Sequence, residues 1–236
     1  MKAPVICMDG PAASGKTTIA KMLAERLGYF YLDTGVLYRA VTWVALQQGV
    51  SPSDGEKLAE LASSIEIEVK PAPPGDVRQT IVLADGEDVS LAIRTAPVDA
   101  HVSEVSAHPA VRTALIGIQR SVAAKGGVIL AGRDAGTVVW PESEVKLFLV
   151  ASEQERARRR LEQARSQGIE VDFDTVLAEL RRRDKYDSSR AVAPLKAATD
   201  AIVLDTTNLS IEQVVNEALR IVREKSGAGL DRRGIL

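Results

Sequence analysis

The residues best suited to chemistry lie in one short segment near the amino terminus. Gly10 and Gly15 bracket four residues and are followed by Lys16 and Thr17, which is the phosphate-loop pattern. In that pattern backbone N–H groups converge on phosphate oxygens, the lysine adds a positive charge, and the hydroxyl is placed to bind Mg²⁺. The segment therefore predicts binding of a purine nucleoside triphosphate. The alternative is a glycine turn into an ordinary helix.

A second candidate site follows an apolar segment in the middle of the chain. Arg133 and Asp134 come directly after Val128–Ala131 and Gly132. In α/β folds ligands bind beyond the carboxyl ends of the strands, so both side chains are placed to meet a second substrate. The alternative is that Arg133 and Asp134 form a structural ion pair with each other.

Polar residues also stand where the apolar stretch before residue 33 enters a helix. Thr34 and Asp33 precede Gly35, and Arg39 lies on the first turns of the predicted helix. Asp33 and Thr34 could serve only as N-cap residues, because short side-chain oxygens accept hydrogen bonds from the first helical N–H groups. The other interpretation places Thr34 and Arg39 in the binding site of the second substrate.

The elements that must position these residues alternate along the chain. Apolar runs predict buried strands, and segments with helical spacing separate them. Predicted strands are 5–8, 128–131, 145–150 and 201–204, and predicted helices are the segment after Thr17 together with 35–48, 109–125, 153–167, 174–183 and 210–225. This order indicates a doubly wound α/β fold, with a parallel sheet covered by helices on both faces.

Residues from about 63 to 94 break that rhythm. Ile65–Val69 alternates with a period of two, 71–75 is rich in proline, and Thr80–Leu83 leads to a turn at Asp85 and Gly86. This pattern predicts a small antiparallel insert. The alternative is that these are extra strands of the main sheet.

Composition limits the class of protein. The chain has 236 residues, a formal net charge of -2 and one cysteine, Cys7. Near-neutral charge argues against a general nucleic-acid binder, and a single cysteine excludes an internal disulfide framework. No segment is predicted to cross a membrane. We expect a soluble, cytoplasmic monomer that binds no nucleic acid and works on small molecules.

Arginines are concentrated between residues 152 and 190, interleaved with acids. A solvated helix surface is the ordinary explanation for such a charge pattern. We take Arg159 as the example of a solvated arginine. The segment from 226 to 236 is expected to be a flexible tail.

The motifs together resemble one family, the bacterial cytidylate kinases. The resemblance runs through about residue 225 and rests on seven segments. These are Asp9–Thr18, Leu32–Arg39, Ile93–Thr95, Val111–Arg112, Gln119–Arg120, Gly132–Val139 and the region Arg183–Leu195. It implies a P-loop NTPase-type sheet, an antiparallel monophosphate-binding insert and a helical lid. It divides a single kinase domain, 1–225, into a core of 1–62, 95–151 and 188–225, an insert of about 63–94 and a lid of about 152–187.

The resemblance also implies an activity and its residues: phosphorylation of CMP or dCMP by ATP with Mg²⁺. ATP would be bound by Gly10, Pro11, Ala12, Ala13, Ser14, Gly15, Lys16, Thr17 and Thr18, with Arg158 reaching it from the lid. CMP would be surrounded by Thr34, Arg39, Ser103, Arg112, Arg133, Asp134, Arg183, Asp187 and Arg190. The catalytic set would be Lys16, Arg133, Arg183 and Asp134, with Thr17 as the metal ligand.

Two departures from the family pattern stand out. Alanines at 12 and 13 replace the glycines of many members, which costs little provided that their backbone angles are right-handed. Thr34 stands where serine is commoner. His101 and His108 are expected to be surface or packing residues, because the phosphate of CMP is already ionised near neutral pH and needs no base. Alternatives to CMP as acceptor are UMP, AMP and shikimate, and a different class altogether is a non-catalytic ATP-dependent switch.

Overall fold

A computed structural model describes residues 2–73, 76, 78, 80–166 and 168–226. Its centre is a five-stranded sheet in the order β2-β6-β1-β7-β8, with every neighbouring pair parallel. The strands are β1 (Val5–Asp9), β2 (Phe30–Asp33), β6 (Val128–Gly132), β7 (Val145–Val150) and β8 (Ile202–Asp205). The predicted parallel α/β sheet is confirmed. Strand β2 was not predicted from the sequence.

Helices cover both faces of this sheet. They are α1 (Lys16–Leu27), α2 (Gly35–Gln47), α3 (Gly55–Ser64), α4 (Ala96–Val105), α5 (Pro109–Ala123), α6 (Glu153–Ser166), α7 (Phe173–Ser189) and α8 (Ile211–Lys225). The helices α3 and α4 were not predicted, and α7 extends six residues beyond the predicted end at Arg183. A short 3₁₀ turn covers Ala92–Arg94, and a π-helical turn covers Ala135–Val139.

Burial of the central strand on both faces explains its continuous apolar sequence. In β1, Val5 and Cys7 belong to the core on one side of the sheet, while Ile6 and Met8 belong to the core on the other. Because side chains alternate between faces along a strand, an apolar run of this kind fits a strand sandwiched between helices. The carboxyl end of β1 therefore reaches the sheet edge from a rigid, fully buried element.

The insert forms a sheet of its own. Strands β3 (Ile67–Pro71), β4 (Thr80–Ala84) and β5 (Glu87–Asp88) pair antiparallel in that order and join none of the five parallel strands. The predicted antiparallel insert is thus confirmed, and the alternative of extra strands in the main sheet is wrong. Part of the proline-rich segment, and the tail from 227 onward, lie outside the described residues.

Within the described chain, no helix combines the length and apolar character needed to cross a membrane.

Candidate active site

One cavity of about 900 Å³ opens at the carboxyl ends of the parallel strands. The phosphate loop after β1, the segment after β2 and the loop after β6 all contribute to its wall. The wall includes all nine predicted CMP-binding residues, as well as Arg158 and, from the phosphate loop, residues 12 to 18. Gly10 and Pro11 do not line it. The structure thus brings the predicted donor and acceptor residues to the same cavity.

The phosphate loop adopts a conformation that its glycines make possible. Gly10 has φ of 145° and Gly15 has φ of 91°, both in the region that favours glycine. A Cβ on Gly10 would lie 2.1 Å from the carbonyl oxygen of Leu149. Ala13 has φ of 58°, so the expectation of right-handed angles is wrong there. An alanine in this region costs roughly 1–2 kcal/mol, which the loop carries as local strain.

Lys16 is buried at the start of α1 and points back over the loop. Its Nζ donates to the carbonyl oxygen of Pro11 at 2.6 Å and to the Ser14 hydroxyl at 3.3 Å. Burial, followed by the nearby Arg133, lowers the pKa of Lys16 well below its usual value. A polyphosphate in the cavity would supply the negative charge that stabilises the ammonium form.

Buried ion pairs organise the acceptor side. Arg112 donates to the Asp134 carboxylate, and Arg133 Nε donates to Asp187 Oδ2 at 2.9 Å. Arg190 donates to the other oxygen of Asp187. The alternative in which Arg133 pairs with Asp134 is therefore wrong, since each has a different partner. These contacts fix the guanidinium groups before any ligand binds.

Arg183 differs from its neighbours because it forms no ion pair with a carboxylate among the described residues. Its Nε is buried with no hydrogen-bond partner among the described residues. Burial, followed by the positive charge of Arg133, lowers the pKa of Arg183 to about 10. The Nε of Arg190 is also buried and unpartnered in the described chain. Buried donors normally have acceptors, so this part of the cavity is built for an anion.

The segment after β2 holds two of the predicted residues in different ways. The Thr34 hydroxyl donates to the carbonyl oxygen of Ala131 at 3.1 Å, so Thr34 does not cap α2. Asp33 accepts from the N–H of Gly35 at 2.9 Å, so the capping interpretation holds for Asp33 alone. The Thr34 contact ties the end of β2 to the end of β6.

Arg39 reaches the cavity from α2 and is held by the insert and by α4. Its Nη1 donates to the carbonyl oxygen of Ile93 at 3.0 Å and its Nη2 donates to Asp99 at 2.5 Å. Ser103, also on α4, lines the same wall. The arginines on this side, namely Arg39, Arg112, Arg133, Arg183 and Arg190, are called the acceptor arginines below.

Two neighbouring arginines of α6, Arg158 and Arg159, have surroundings opposite to those predicted from the sequence. Arg159 donates to the hydroxyl and carbonyl oxygens of Thr206 at 3.0 and 2.7 Å, and its Nη1 lies 3.5 Å from the Cβ position of Gly15. The expectation that Arg159 is solvated is wrong. Arg158 is more than half exposed and pairs with Glu155 and Glu162. Helical geometry alone could not decide which of two adjacent residues faces the phosphate loop.

Sequence reasoning assigned no role to several residues that shape the site. The guanidinium carbon of Arg112 lies over the ring of Tyr38, 5.1 Å from the ring centre. Arg156, on α6, donates to the carbonyl oxygen of Ala12 and pairs with Asp184 on α7, joining these two helices to the phosphate loop. Asp9 holds the loop after β6. Asp9 comes directly before the first glycine of the phosphate-loop motif, and this position is the sequence feature that could have indicated a role.

The histidines lie elsewhere. His108 Nε2 is 2.9 Å from the carbonyl oxygen of Pro52, and its ring contacts Gly55. Neither His108 nor His101 contributes to the cavity wall. The expectation of a packing role is confirmed for His108.

The metal expected with ATP would need few protein ligands. Mg²⁺ commonly keeps several waters and is held by one or two protein oxygens plus substrate phosphates. In the described chain no cluster of three or more histidine, cysteine or carboxylate side chains could form a cage. Thr17, at the start of α1, lines the cavity and carries a hydroxyl group. This donor set fits Mg²⁺ carried with a nucleotide rather than a resident metal.

The site can now be compared with known proteins. The family model described as cytidylate kinase matches residues 6–224. The chain belongs to the cytidylate kinase family. It is 50% identical to the cytidylate kinase of Anoxybacillus flavithermus (strain DSM 21510 / WK1), covering 93% of this chain and 96% of that protein. It is 49% identical to the cytidylate kinase of Geobacillus sp. (strain WCH70), covering 94% and 97%.

A structural comparison agrees with this assignment at the level of the fold. An uncharacterized protein from Eubacterium ventriosum ATCC 27560 aligns with a TM-score of 0.52 and 14% identity, over 94% of this chain and 98% of that chain. At this identity the likeness shows the fold alone. Membership of the cytidylate kinase family therefore rests on the sequence match, and it confirms the resemblance seen in the motifs.

Proposed function

We propose that this cytidylate kinase family member transfers the γ-phosphoryl group of ATP to the phosphate of CMP or dCMP, giving ADP and CDP or dCDP. The observation that carries the proposal is the convergence of a phosphate loop and the acceptor arginines on one cavity. Buried, unpartnered guanidinium nitrogens at Arg183 and Arg190 mark where negative charge is missing. A nucleotide phosphate supplies it.

The reaction is a direct in-line displacement. An oxygen of the CMP phosphate forms a bond to the γ-phosphorus as the bond from that phosphorus to the ADP oxygen breaks. Catalysis of such a transfer is mostly positioning and charge neutralisation. Because the second pKa of a phosphate ester is about 6, the attacking oxygen is ionised near neutral pH. No side chain has to remove a proton.

The cavity residues divide these tasks. On the donor side, residues 10–18 bind the ATP phosphates, with Lys16 as the point charge and Thr17 as the Mg²⁺ ligand. Bound with ATP, Mg²⁺ would neutralise phosphate charge. On the acceptor side, Arg39 and Arg133 bind the CMP phosphate, because guanidinium forks match phosphate oxygens in pairs. Arg183 faces the negative charge shared between the two substrates.

Recognition of the pyrimidine nucleoside is assigned to the remaining acceptor residues. Arg112 and Arg190 lie nearer the cytosine, whereas Asp134 and Asp187 accept hydrogen bonds from the base or the ribose hydroxyls. Ser103 and Thr34 complete the pocket. Support for this division comes from the pairing of Arg112 with Asp134 and of Arg190 with Asp187. In each pair an arginine and a carboxylate present donor and acceptor atoms side by side.

Water must be kept from the γ-phosphoryl group during transfer, since it would compete with CMP. We assign this task to the segment 152–187 as a closing lid. It supplies Arg158 and Arg159, and Arg156 already contacts the phosphate loop.

We also propose that the protein is a cytoplasmic monomer without nucleic-acid partners. A net charge of -2 and a buried, unpaired Cys7 support these expectations.

An acceptor panel tests the proposal. Purified protein is given Mg-ATP with CMP, dCMP, UMP, AMP or shikimate, and ADP release is followed in a coupled assay. We expect CMP and dCMP to be turned over fastest. Equal or faster turnover of AMP or shikimate would refute the assignment of acceptor. No transfer to any monophosphate, together with ATP-dependent binding of a protein partner, would instead indicate a switch.

A further inference from the structure

Asp9 occupies the junction between the two halves of the site. It is the last residue of β1, and the phosphate loop begins at the next residue. Its side chain is 5% exposed and turns toward the neighbouring strand β6. Asp9 Oδ1 accepts from the N–H of Ala135 at 2.8 Å, and Oδ2 accepts from the N–H of Gly136 at 2.7 Å. Those two N–H groups come directly after the Arg133–Asp134 pair.

The two bonds hold the start of the π-helical turn Ala135–Val139. The first N–H groups of a helical turn have no acceptor within the turn, and a carboxylate placed there is favoured electrostatically. At the other end, Arg120 donates to the carbonyl oxygens of Val138 and Val139 at 3.1 and 3.0 Å. The turn is thus fixed at both ends by charges of the appropriate sign, and the end beside the acceptor residues is fixed by Asp9.

Burying the Asp9 carboxylate costs the folded protein free energy. In the described chain no lysine or arginine nitrogen forms an ion pair with it. Burial raises the pKa of Asp9 to about 6, although the two backbone N–H groups oppose that rise. A buried carboxylate held by neutral donors stabilises a protein poorly. The role of Asp9 therefore lies in the backbone groups that it positions, the N–H groups of Ala135 and Gly136.

The space around the carboxylate is also closely fitted. A Cβ on Gly136 would lie 3.4 Å from Asp9 Oδ2 and 3.3 Å from the Lys146 stem. A Cβ on Gly132, the residue paired with Asp9 in the sheet, would lie 2.5 Å from the Thr34 hydroxyl. The loop after β6 therefore has little freedom to move relative to β1, and Asp9 is the side chain that joins them.

We propose that Asp9 is a positioning residue for phosphoryl transfer: its carboxylate sets the distance between the ATP-binding loop and the Arg133–Asp134 segment that holds the acceptor. This inference rests on the proposed function. Asp9 is not among the residues that line the cavity, so we expect each nucleotide to bind without it. Their relative alignment depends on it, and a misplacement of about 1 Å can cost about 100-fold in rate.

The test is Asp9→Asn, compared with the control Asp54→Asn. Asparagine keeps the shape but offers one acceptor oxygen, so one of the two N–H groups loses its partner. Asp54 accepts a backbone N–H from Lys57 at the start of α3, away from the cavity. With CMP and ATP saturating, we expect kcat of Asp9→Asn to fall about 10- to 100-fold. Asp54→Asn should retain the wild-type kcat.

Binding separates positioning from general damage. Calorimetry should give Kd values for CMP, and for a non-hydrolysable ATP analogue, within about threefold of wild type, each measured alone. Circular dichroism checks that the variant is folded. A folded Asp9→Asn enzyme with unchanged kcat would overturn the inference. So would a loss of affinity for either nucleotide as large as the loss of kcat.

A second variant keeps the inference testable if Asp9→Asn does not fold. Gly136→Ala leaves the carboxylate intact and adds a methyl group at the tight contact with Asp9 Oδ2. It should lower kcat in the same direction at unchanged Kd, and an unchanged kcat would count against the role. Failure of the proposed function would look different, because then the wild-type protein itself would form no CDP.

Discussion

The acceptor arginines and the arginines on the outer faces of α6 and α7 differ in burial rather than in number. Arg112 and Arg190 have side chains 8% and 7% exposed and pair with carboxylates that are equally buried. Arg158 and Arg181 are 54% and 55% exposed and pair with Glu162 and Glu153, which are 59% and 45% exposed. All four of these arginines form ion pairs, but only Arg112 and Arg190 are buried together with their carboxylates.

This difference indicates which arginines serve chemistry. Exposed ion pairs form at little cost and contribute little. Burying a guanidinium and a carboxylate costs several kcal/mol per ion, which the attraction between them offsets only in good geometry. A fold that places such pairs around one cavity, and leaves the Arg183 Nε without a partner there, is organised for a charged ligand. Stability alone would favour an apolar cavity.

The largest expected effect is on stability. Arg112→Ala leaves the buried Asp134 carboxylate without its partner, and breaking such a pair costs roughly 3–5 kcal/mol. Urea unfolding should show this loss relative to wild type. A change below about 1 kcal/mol would mean that water reaches Asp134 readily, and the contrast with surface pairs would fail.

The next effect separates two arginines on the same helix. Arg183→Ala removes a cavity guanidinium that forms no ion pair with any described carboxylate. We expect kcat/KM to fall by about 100- to 1000-fold, as for loss of a group that stabilises transition-state charge. Arg181→Ala, two residues earlier on the outer face, should stay within about twofold of wild type. Coupled assays with CMP and ATP measure both. Equal effects would abolish the distinction by burial.

An intermediate effect is expected for Arg159, which lies between the two groups. Its side chain is 25% exposed and donates to the Thr206 hydroxyl, which in turn donates to the carbonyl oxygen of Ser14 in the phosphate loop. Arg159→Ala should raise KM for ATP by about tenfold, the value of one charge-assisted hydrogen bond. KM for CMP should stay unchanged, because the residue contacts only the donor side. If KM for CMP rises as well, Arg159 supports the whole cavity.

The smallest effect is expected for Arg158, which the sequence selected as an ATP contact. Arg158→Ala should leave the unfolding midpoint unchanged, since surface substitutions of this kind seldom matter. A modest rise in KM for ATP, about threefold or less, is expected if the lid brings the residue to the nucleotide. A larger rise than that of Arg159→Ala would reverse the order of these two neighbours.

The sequence predicted the fold where the pattern was continuous. The apolar strands 5–8 and 128–131 are buried on both faces, so their composition carried the signal. The strand β2 was missed because Phe30–Asp33 runs within two residues into helix α2, so its apolar residues were interpreted only as the entrance to that helix. Helix α4 has few charged residues to mark a solvated face, and its spacing gave little periodicity.

The site was predictable in its membership but less so in its geometry. The phosphate-loop spacing predicted Lys16, the position after a predicted strand predicted Arg133, and the family resemblance predicted Arg183. All three line the cavity. Which carboxylate pairs with which arginine depends on contacts such as Arg133 with Asp187, 54 positions apart. The role of Asp9 likewise required the register of β1 against β6. Long-range packing decides these, and no local pattern reports it.

The proposed function requires that the γ-phosphoryl group of ATP passes directly to the phosphate of CMP and not to water. Phosphorus NMR of wild-type protein with Mg-ATP and CMP tests it most directly. We expect the signals of ADP and CDP to grow at equal rates while orthophosphate stays absent. Release of orthophosphate with CMP left unchanged, or no reaction at all, would contradict it.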